Sequence, residues 1–366
     1  MHPAAPSDAP SVSGSYARSL HAFLGSCGLP SGGDTVPPIG LRVDGATLGD
    51  ALRAGGRALA DPTLGIRFGT RVGCAGFGLL GVAATTATTL GEAVRHLQRF
   101  EAITSTLGHV DVARAGGELR LSWRPAQPVA PSVVEGILAG WVSFGRWFLG
   151  AQVPVRAVRF AHARAAALSS YEQELEAPVV FGAGDYGVTV AEDLVDARPR
   201  FADARLNAAI GSWLDGCTLA VDAARGRPAT RLVAQWLAAR PALDAVDEAL
   251  AARALGCGTR TLQRRLAGEG ARFRALLDAA RAQHAVVSLL QGAPRLAQLG
   301  ADVGFREQSS LCRAFRRWTG YAPLPLKERL APVFHDLRPA TDSPSTAPHE
   351  PAAASHHSST ELERTT

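Results

Sequence analysis

The chain has 366 residues, 46% hydrophobic and 19% charged, a composition that supports about two globular cores. Its net charge of +5 is unevenly spread: residues 227–330 carry 17 Arg or Lys against 8 Asp or Glu, and the remainder carries 21 against 25. A basic segment on a mildly acidic body points to a phosphate-rich partner for that segment alone.

Residues 1–14 are rich in Pro, Ala and Ser, lack an apolar signal core and read as a disordered leader. Residues 15–225 mix two periodicities. Leu90, Val94, Leu97 and Ile103 recur at helical spacing behind Thr89, a suitable N-cap. Residues 110–112 and 119–123 alternate around Gly116-Gly117, which predicts a β-hairpin. A helix is expected over 133–149, capped by Ser132 after Pro131. Glu135 and Arg146 make it too polar, and its length too short, for a membrane span. Strands are expected over 153–160, 179–181 and 188–190, the last two around a Gly182–Gly187 turn, with a short helix over 171–175. The order of the strands is not derivable, and the unit reads as α+β.

Asp222 to Pro228 reads as a linker. Helical spacing resumes through Leu232, Val233, Trp236 and Leu237. An all-α domain is expected over 226–331. From Pro332 to the end, Pro, Ser, Thr, Ala and His dominate, so 332–366 reads as a disordered tail. His356-His357 in that tail is given no metal role, nor are His96, His109 and His162, which have no ligand spacing.

The all-α segment contains an internal repeat. Ala252-x-x-Leu255-Gly256 matches Gly300-x-x-Val303-Gly304. A small residue lets two helices approach and a glycine turns the chain, as in a helix-turn-helix. A recognition helix is expected after each turn, over about 259–267 and 307–318. Leu262 and Leu266, and Leu311 and Phe315, are spaced i,i+4 and should face inward. The opposite faces carry Arg260, Gln263 and Arg264 in the first helix and Gln308, Ser309, Cys312 and Arg313 in the second. These side chains can hydrogen-bond base edges in a major groove. Arg265, Arg316 and Arg317 are candidates for phosphate, and Trp318 for core. A linking helix over 272–290 should hold the two heads about one DNA turn (~34 Å) apart. Lys327 is the sole lysine, so the basic charge is guanidinium, suited to phosphate and guanine. Double-stranded DNA is the expected partner.

With these residues in view, Arg260-Thr261-Leu262-Gln263-Arg264-Arg265-Leu266, and Gly304-Phe305 with Arg313-Ala314-Phe315-Arg316-Arg317-Trp318-Thr319-Gly320-Tyr321-Ala322-Pro323, resemble the DNA-binding domain of AraC/XylS-type transcription regulators. The resemblance implies base contacts from the seven residues named above. It also implies contact with RNA polymerase, promoter activation, direct DNA repeats and a homodimer formed through the N-terminal domain. The chain departs from the family at Gly258 and Arg306, where serine is usual, at Gly300, where alanine is usual, and at Pro325.

Further upstream, Asp61-Pro62, Gly65-Ile66-Arg67-Phe68-Gly69, Phe77-Gly78-Leu79-Leu80-Gly81, Thr88-Thr89-Leu90-Gly91-Glu92-Ala93 and Ala177-Pro178-Val179-Val180-Phe181-Gly182-Ala183 resemble the effector domain of one AraC subgroup. That subgroup includes ornithine-utilisation regulators, and its domain is named arabinose-binding. The founding arabinose regulator uses a jelly roll, whereas this segment is rich in helix, so no sugar is implied. After Phe181-Gly182-Ala183 the subgroup's charged run gives way to Gly184-Asp185-Tyr186-Gly187. The resemblance implies an unknown small-molecule effector. Trp141, Phe144, Trp147 and Phe148 could line its pocket, with Glu135 or Arg146 as the polar group. Aromatics at this spacing are more often an ordinary core.

Two enzymatic readings fail on local grounds. Gly73-Cys74-Ala75-Gly76 resembles a nucleophile turn, but no apolar strand precedes it and no capped helix follows. The five cysteines, Cys27, Cys74, Cys217, Cys257 and Cys312, are scattered and supply neither a CxxC pair nor a zinc cluster. Their odd number and the missing signal peptide read as a reducing cytoplasm. No cofactor is expected. A constitutive DNA-binding protein whose N-terminal domain only dimerises is the alternative to effector control.

Overall fold

A computed structural model describes residues 9–29, 42–150, 153–211, 214, 228–238, 240, 242–290 and 295–335. The expected linker lies outside them except for Pro228, and so do the first eight residues and those after 335. The chain is an α+β N-terminal unit followed by an all-α unit with two helix-turn-helix motifs.

The N-terminal unit opens earlier than the leader boundary. Ser11–Ser13 (β1) pairs antiparallel with Arg42–Asp44 (β2), and Val12 is buried. Ser13 then caps Gly14–Ser26 (α1) by accepting from the Tyr16 amide. The half-buried Arg42 holds this corner, its guanidinium donating to Ser11 and to the carbonyls of Ala102 and Ile103.

Three helices follow, Gly45–Ala58 (α2), Leu64–Arg71 (α3) and Gly78–Thr86 (α4). Leu90–Thr104 (α5) begins at Thr89 as expected, with the Thr89 side chain accepting from the Glu92 amide. The hairpin is Gly108–Ala115 (β3) and Glu118–Pro125 (β4), turning at Gly116 and Gly117. Pro131–Leu149 (α6) corrects the expected cap. Pro131 lacks an N–H and has φ fixed near the helical value, so it occupies the first helical position, and Ala130 is the N-cap. Ser132 therefore lies inside the first turn, and its buried hydroxyl has no partner.

The larger sheet has the order β3-β4-β7-β5-β6, where β5 is Val155–Phe160, β6 is Val179–Phe181 and β7 is Tyr186–Ala191. The strands flanking the Gly182–Gly187 turn are thus not neighbours. Leu168–Leu175 (α7) forms the crossover that lets β6 run parallel to β5, while β7 returns antiparallel on the other side of β5. The inward face of the sheet packs with α1, α3 and α6 in one core that includes Tyr16, Phe68, Leu138, Val158 and Phe160.

Helices α3 and α6 approach backbone to backbone. A Cβ at Gly65 would stand 2.3 Å from the Ser132 carbonyl oxygen, and one at Gly69 2.3 Å from that of Gly136. The glycines quoted above as a motif are therefore needed for close approach.

In the C-terminal unit, Pro228–Ala238 (α9) follows a helical stretch over 204–211 (α8). The Glu269 carboxylate caps α9 by accepting from the Ala229 and Thr230 amides. Glu248–Ala254 (α10) and Thr259–Gly268 (α11) form the first helix-turn-helix. Phe273–Leu290 (α12) is the linking helix. Leu296–Asp302 (α13) and Gln308–Thr319 (α14) form the second, and Pro323–His335 (α15) closes the unit, so residues 332–335 of the expected tail are helical. Pro325 falls in the first turn of α15, where amides have no intrahelical partner, so it costs no helix bond.

The cores do not follow the domain division. The first half of α12 packs with α9, α10 and α11 in a separate cluster containing Val233, Leu262, Leu266 and Phe273. Its second half joins a cluster drawn from both units. Leu79, Val82, Phe100 and Ile103 of α4 and α5, and Leu206 and Ile210 of α8, meet Val286, Leu299, Leu311, Phe315 and Leu330. The second helix-turn-helix is thus buried against the N-terminal unit.

Two glycines should respond oppositely to alanine. Gly69→Ala forces apart two packed helices and should lower stability by about 1–3 kcal/mol. At Gly300 in α13, a Cβ would meet Leu311 Cδ2 at 3.6 Å and the Phe305 carbonyl oxygen at 3.7 Å, ordinary contact distances. Gly300→Ala should raise stability by up to about 1 kcal/mol through helix propensity. Thermal unfolding of the two variants tests both signs.

Candidate nucleic-acid interface

Each reading head is set by its turn. Gly256 and Gly304 have φ of 68° and 85°, a region that L side chains rarely adopt. At Gly304 the backbone is also crowded by a segment of the first head, since a Cβ there would lie 2.6 Å from the Leu243 carbonyl oxygen.

Helix α11 buries Leu262 and Leu266 and exposes Arg260, Gln263, Arg264 and Arg265. Gln263 Nε2 donates to Glu248 Oε2 at 2.9 Å, tying the recognition helix to α10. The three arginines make no hydrogen bond or ion pair among the described residues, so their guanidinium donors are free to meet a ligand. Gly258 is the N-cap and offers no side-chain acceptor.

Helix α14 buries Leu311, Ala314, Phe315 and Trp318. It exposes Gln308, Ser309, Arg313, Arg316 and Arg317, with Cys312 half-buried between them. Ser309 Oγ donates to Glu307 Oε2 at 3.2 Å, and Arg313 Nη2 to Ser310 Oγ at 3.1 Å. Arg317 is engaged differently. Its Nη2 lies 2.9 Å from both carboxylate oxygens of Asp278 on α12, and Trp318 Nε1 donates to the same carboxylate at 3.3 Å. Arg306 precedes the helix, whose N-cap is Glu307.

The heads are joined by more than α12. The Leu243 amide donates to the Asp302 carbonyl at 2.6 Å, and Arg281 Nη2 to the Leu243 carbonyl at 3.2 Å. Arg281 also lies over the Phe305 ring. A loop of the first head is therefore pinned onto the turn of the second. The pattern of apolar residues gave no sign of this brace, because backbone groups make it.

The second head is clasped to the N-terminal unit at Asp203. One carboxylate oxygen accepts from the Leu206 amide at 3.0 Å, capping α8, and the other accepts from Tyr321 Oη at 3.2 Å and from Arg329. Arg205 lies over the Tyr321 ring. Burial alone would raise the Asp203 carboxyl, but the Leu206 amide, Arg329 and Tyr321 outweigh it and hold it below the usual carboxylate range.

Of the four residues named for an effector pocket, Trp141 lines the cavity described below, and the other three make the following contacts. Glu135 is buried and meets His162 Nε2 at 3.3 Å. Phe144 stacks among Phe77, Trp147 and Phe148. Arg146 donates to the Leu175 and Glu176 carbonyls, fixing the end of α7. Trp141 does line a cavity, bounded by α1, α4, α5, α6 and the β3–β4 hairpin.

Cys74 is fully buried, opens a 3-10 turn over Cys74–Phe77, and lies 3.5 Å from Thr85 Oγ1. A helix, α4, does follow that turn, without a side-chain cap. Burial pushes the thiol up to about 12, against a smaller pull from Thr85, so the nucleophilic thiolate is unavailable near neutral pH.

Comparison with known proteins agrees with this arrangement. A family model described as the N-terminal arabinose-binding domain of AraC transcription regulators matches residues 18–199, and a helix-turn-helix domain model matches residues 251–329. The chain is 31% identical over 310 residues to the uncharacterised HTH-type transcriptional regulator Mb1430 of Mycobacterium bovis, covering 80% of this chain and 88% of that protein. This chain belongs to the AraC family of transcription regulators. It is also 29% identical over 280 residues to the regulator VirS of Mycobacterium tuberculosis, covering 74% and 80% of the two chains. The ornithine utilization regulator of Pseudomonas aeruginosa is 24% identical over 271 residues, covering 73% and 79%. As a family member the chain is a DNA-binding transcription regulator. Among the described residues, no helix is long and apolar enough to cross a membrane.

Asp203→Ala removes a helix cap and leaves Tyr321 without its acceptor, so it should lower stability by about 1–3 kcal/mol. Hydrogen exchange should quicken in α14 and α15 more than in α11. Because the Asp203 value is depressed, its contribution is present above the ordinary aspartate range of ~4 and is lost as pH falls through the folded value. An acid titration of the wild type against Asp203→Ala should show curves that converge only at the acid end.

Proposed function

We propose that this regulator is a promoter activator controlled by a small molecule bound in its N-terminal unit. The supporting observation is the core shared by α4, α5 and α8 with the second reading head. A molecule that moves those helices moves α14 with them, whereas a head on a free tether would feel nothing. Burial on that scale makes the two elements respond as one body, since packed cores do not deform continuously.

On DNA, Arg260, Gln263 and Arg264 read bases for the first head, and Gln308, Ser309, Cys312 and Arg313 for the second. The exposure of all of them but the half-buried Cys312, on two basic helices, supports this assignment. Arg265 and Arg316 take phosphates. Arg317 does so in exchange for, or alongside, Asp278. The brace at Leu243 keeps the two heads in fixed register, suited to successive major grooves of a direct repeat. A homodimer formed through the N-terminal unit, and contact with RNA polymerase, complete the proposal.

Footprinting on fragments selected from source DNA tests the reading. Arg264→Ala should weaken binding by about 1–3 kcal/mol and relax the preference at one base pair, whereas Arg316→Ala should weaken all sequences alike and flatten the salt dependence. A uniform loss in Arg264→Ala would reassign it to phosphate. Footprints unchanged by small-molecule extracts of the source cells would leave the N-terminal unit a dimerisation element only.

A further inference from the structure

Helix α12 changes cores near its middle. Phe273 and Leu277 belong to the cluster of the first reading head, and Ala282, Ala285 and Val286 to the cluster that holds the second. Flexure of the helix between Leu277 and Ala282 would swing one head against the other without opening either core. Arg281 stands in that turn. Its Nη2 donates to the Leu243 carbonyl at 3.2 Å, and its guanidinium lies 5.6 Å from the centroid of the Phe305 ring. The Leu243 side chain is part of the core of the first head, and Phe305 packs on that of the second. One side chain therefore touches both heads from the helix that joins them.

The contact is closely fitted. A Cβ at Gly304 would stand 2.5 Å from Arg281 Nη2, so the glycine that turns the second motif also leaves room for the guanidinium. The Leu243 amide donates to the Asp302 carbonyl, so Leu243 is held by both of its backbone groups. The same arrangement is poorly suited to stabilising the fold. Arg281 Nε is buried and has no partner among the described residues. Burial also pulls the guanidinium below its ordinary pKa range, against a smaller opposing effect of the Asp278 charge. A buried donor left unpaired and a partly desolvated charge both count against folding. A side chain that spans both heads at such a cost is placed to fix geometry.

We propose that Arg281 is a positioning residue that sets the spacing between the two DNA half-sites this protein accepts, by stapling the Leu243 loop of the first head and the Phe305 turn of the second to the middle of α12. This rests on the reading above in which the two heads occupy successive major grooves. One base pair inserted between the half-sites moves the second by about 3.4 Å and turns it by about 34° around the duplex axis. Heads stapled together cannot follow that rotation and lose the contacts of one half-site. Heads free to flex at α12 can follow part of it. Arg281 touches no DNA in this scheme, so it governs which spacings are tolerated and leaves the base contacts to α11 and α14. The planar guanidinium is needed, because it can lie against a ring while one of its nitrogens donates, and an ammonium cannot.

The test uses the full chain and the duplex recovered by footprinting, together with versions carrying one or two base pairs added or removed between the protected blocks. The wild type should lose about 10- to 100-fold in affinity for a one-base-pair change, as for a mismatched base. In Arg281→Met that loss should shrink to about 3-fold, with affinity for the unaltered duplex kept within about 3-fold of the wild type. Its melting temperature should stay close to that of the wild type, since methionine has no charge to desolvate. Arg281→Lys keeps a donor for Leu243 without the flat contact on Phe305, and its spacing penalty should fall between the two. A penalty in Arg281→Met as steep as in the wild type overturns the inference and leaves the two-head reading intact. So does a loss of affinity that is equal at every spacing, or a wild type indifferent to spacing. A single protected block in the wild type overturns both. Should Arg281→Met lose its fold, Phe305→Leu removes the ring beside the guanidinium and is read in the same way.

Discussion

Helix α12 is built into two cores at once, and the rest of the molecule is arranged around that division. Phe273 and Leu277 near its start belong to the first reading head, while Ala282, Ala285, Val286 and Leu289 lie against the N-terminal unit and the second head. One helix thereby connects a head with its own small core to a head that has none apart from the N-terminal unit. The Asp203 clasp and the Leu243 brace act at the two ends of this connection. The first joins α8 to α15, and the second joins the first head to the turn of the second. Hydrophobic burial supplies the force, and the few directional bonds fix which faces meet.

The parts most legible in the sequence were those in which local chemistry decides the outcome. Thr89 ahead of a 3.6-residue pattern, Gly116-Gly117 between alternating runs, and paired leucines on each recognition helix all describe groups that are neighbours along the chain. The double helix-turn-helix was legible for the same reason, since within each motif the turn glycine and the inward residues of the following helix are near neighbours along the chain. The arginines on α11 and α14 were placed on the solvent side by the same periodicity.

What the sequence concealed depends on contacts across long separations. The strand order follows from a crossover through α7 that alternation cannot express, because β6 and β7 look like a hairpin to any local rule. The effector residues chosen on α6 lay at helical spacing, but periodicity only states that they share a face. It does not distinguish the aromatic stack around Phe144 from the cavity beside Trp141. Asp203 meets Arg329 across 126 positions, and nothing around either residue distinguishes it from an ordinary surface charge. At Ser132 the competing signal was adjacent. Proline at the first helical position took precedence over serine as a cap.

The shared core also bears on how such proteins are recombined. Grafting the DNA-binding half of one regulator onto the sensing half of another assumes that the seam lies at the linker. Here the first head would travel intact, because its interior is its own. The second would leave behind the floor on which Leu311, Phe315 and Leu330 rest, exposing a greasy underside to solvent. A viable exchange has to carry α4, α5 and α8 along with the second head, or redesign the surface between them.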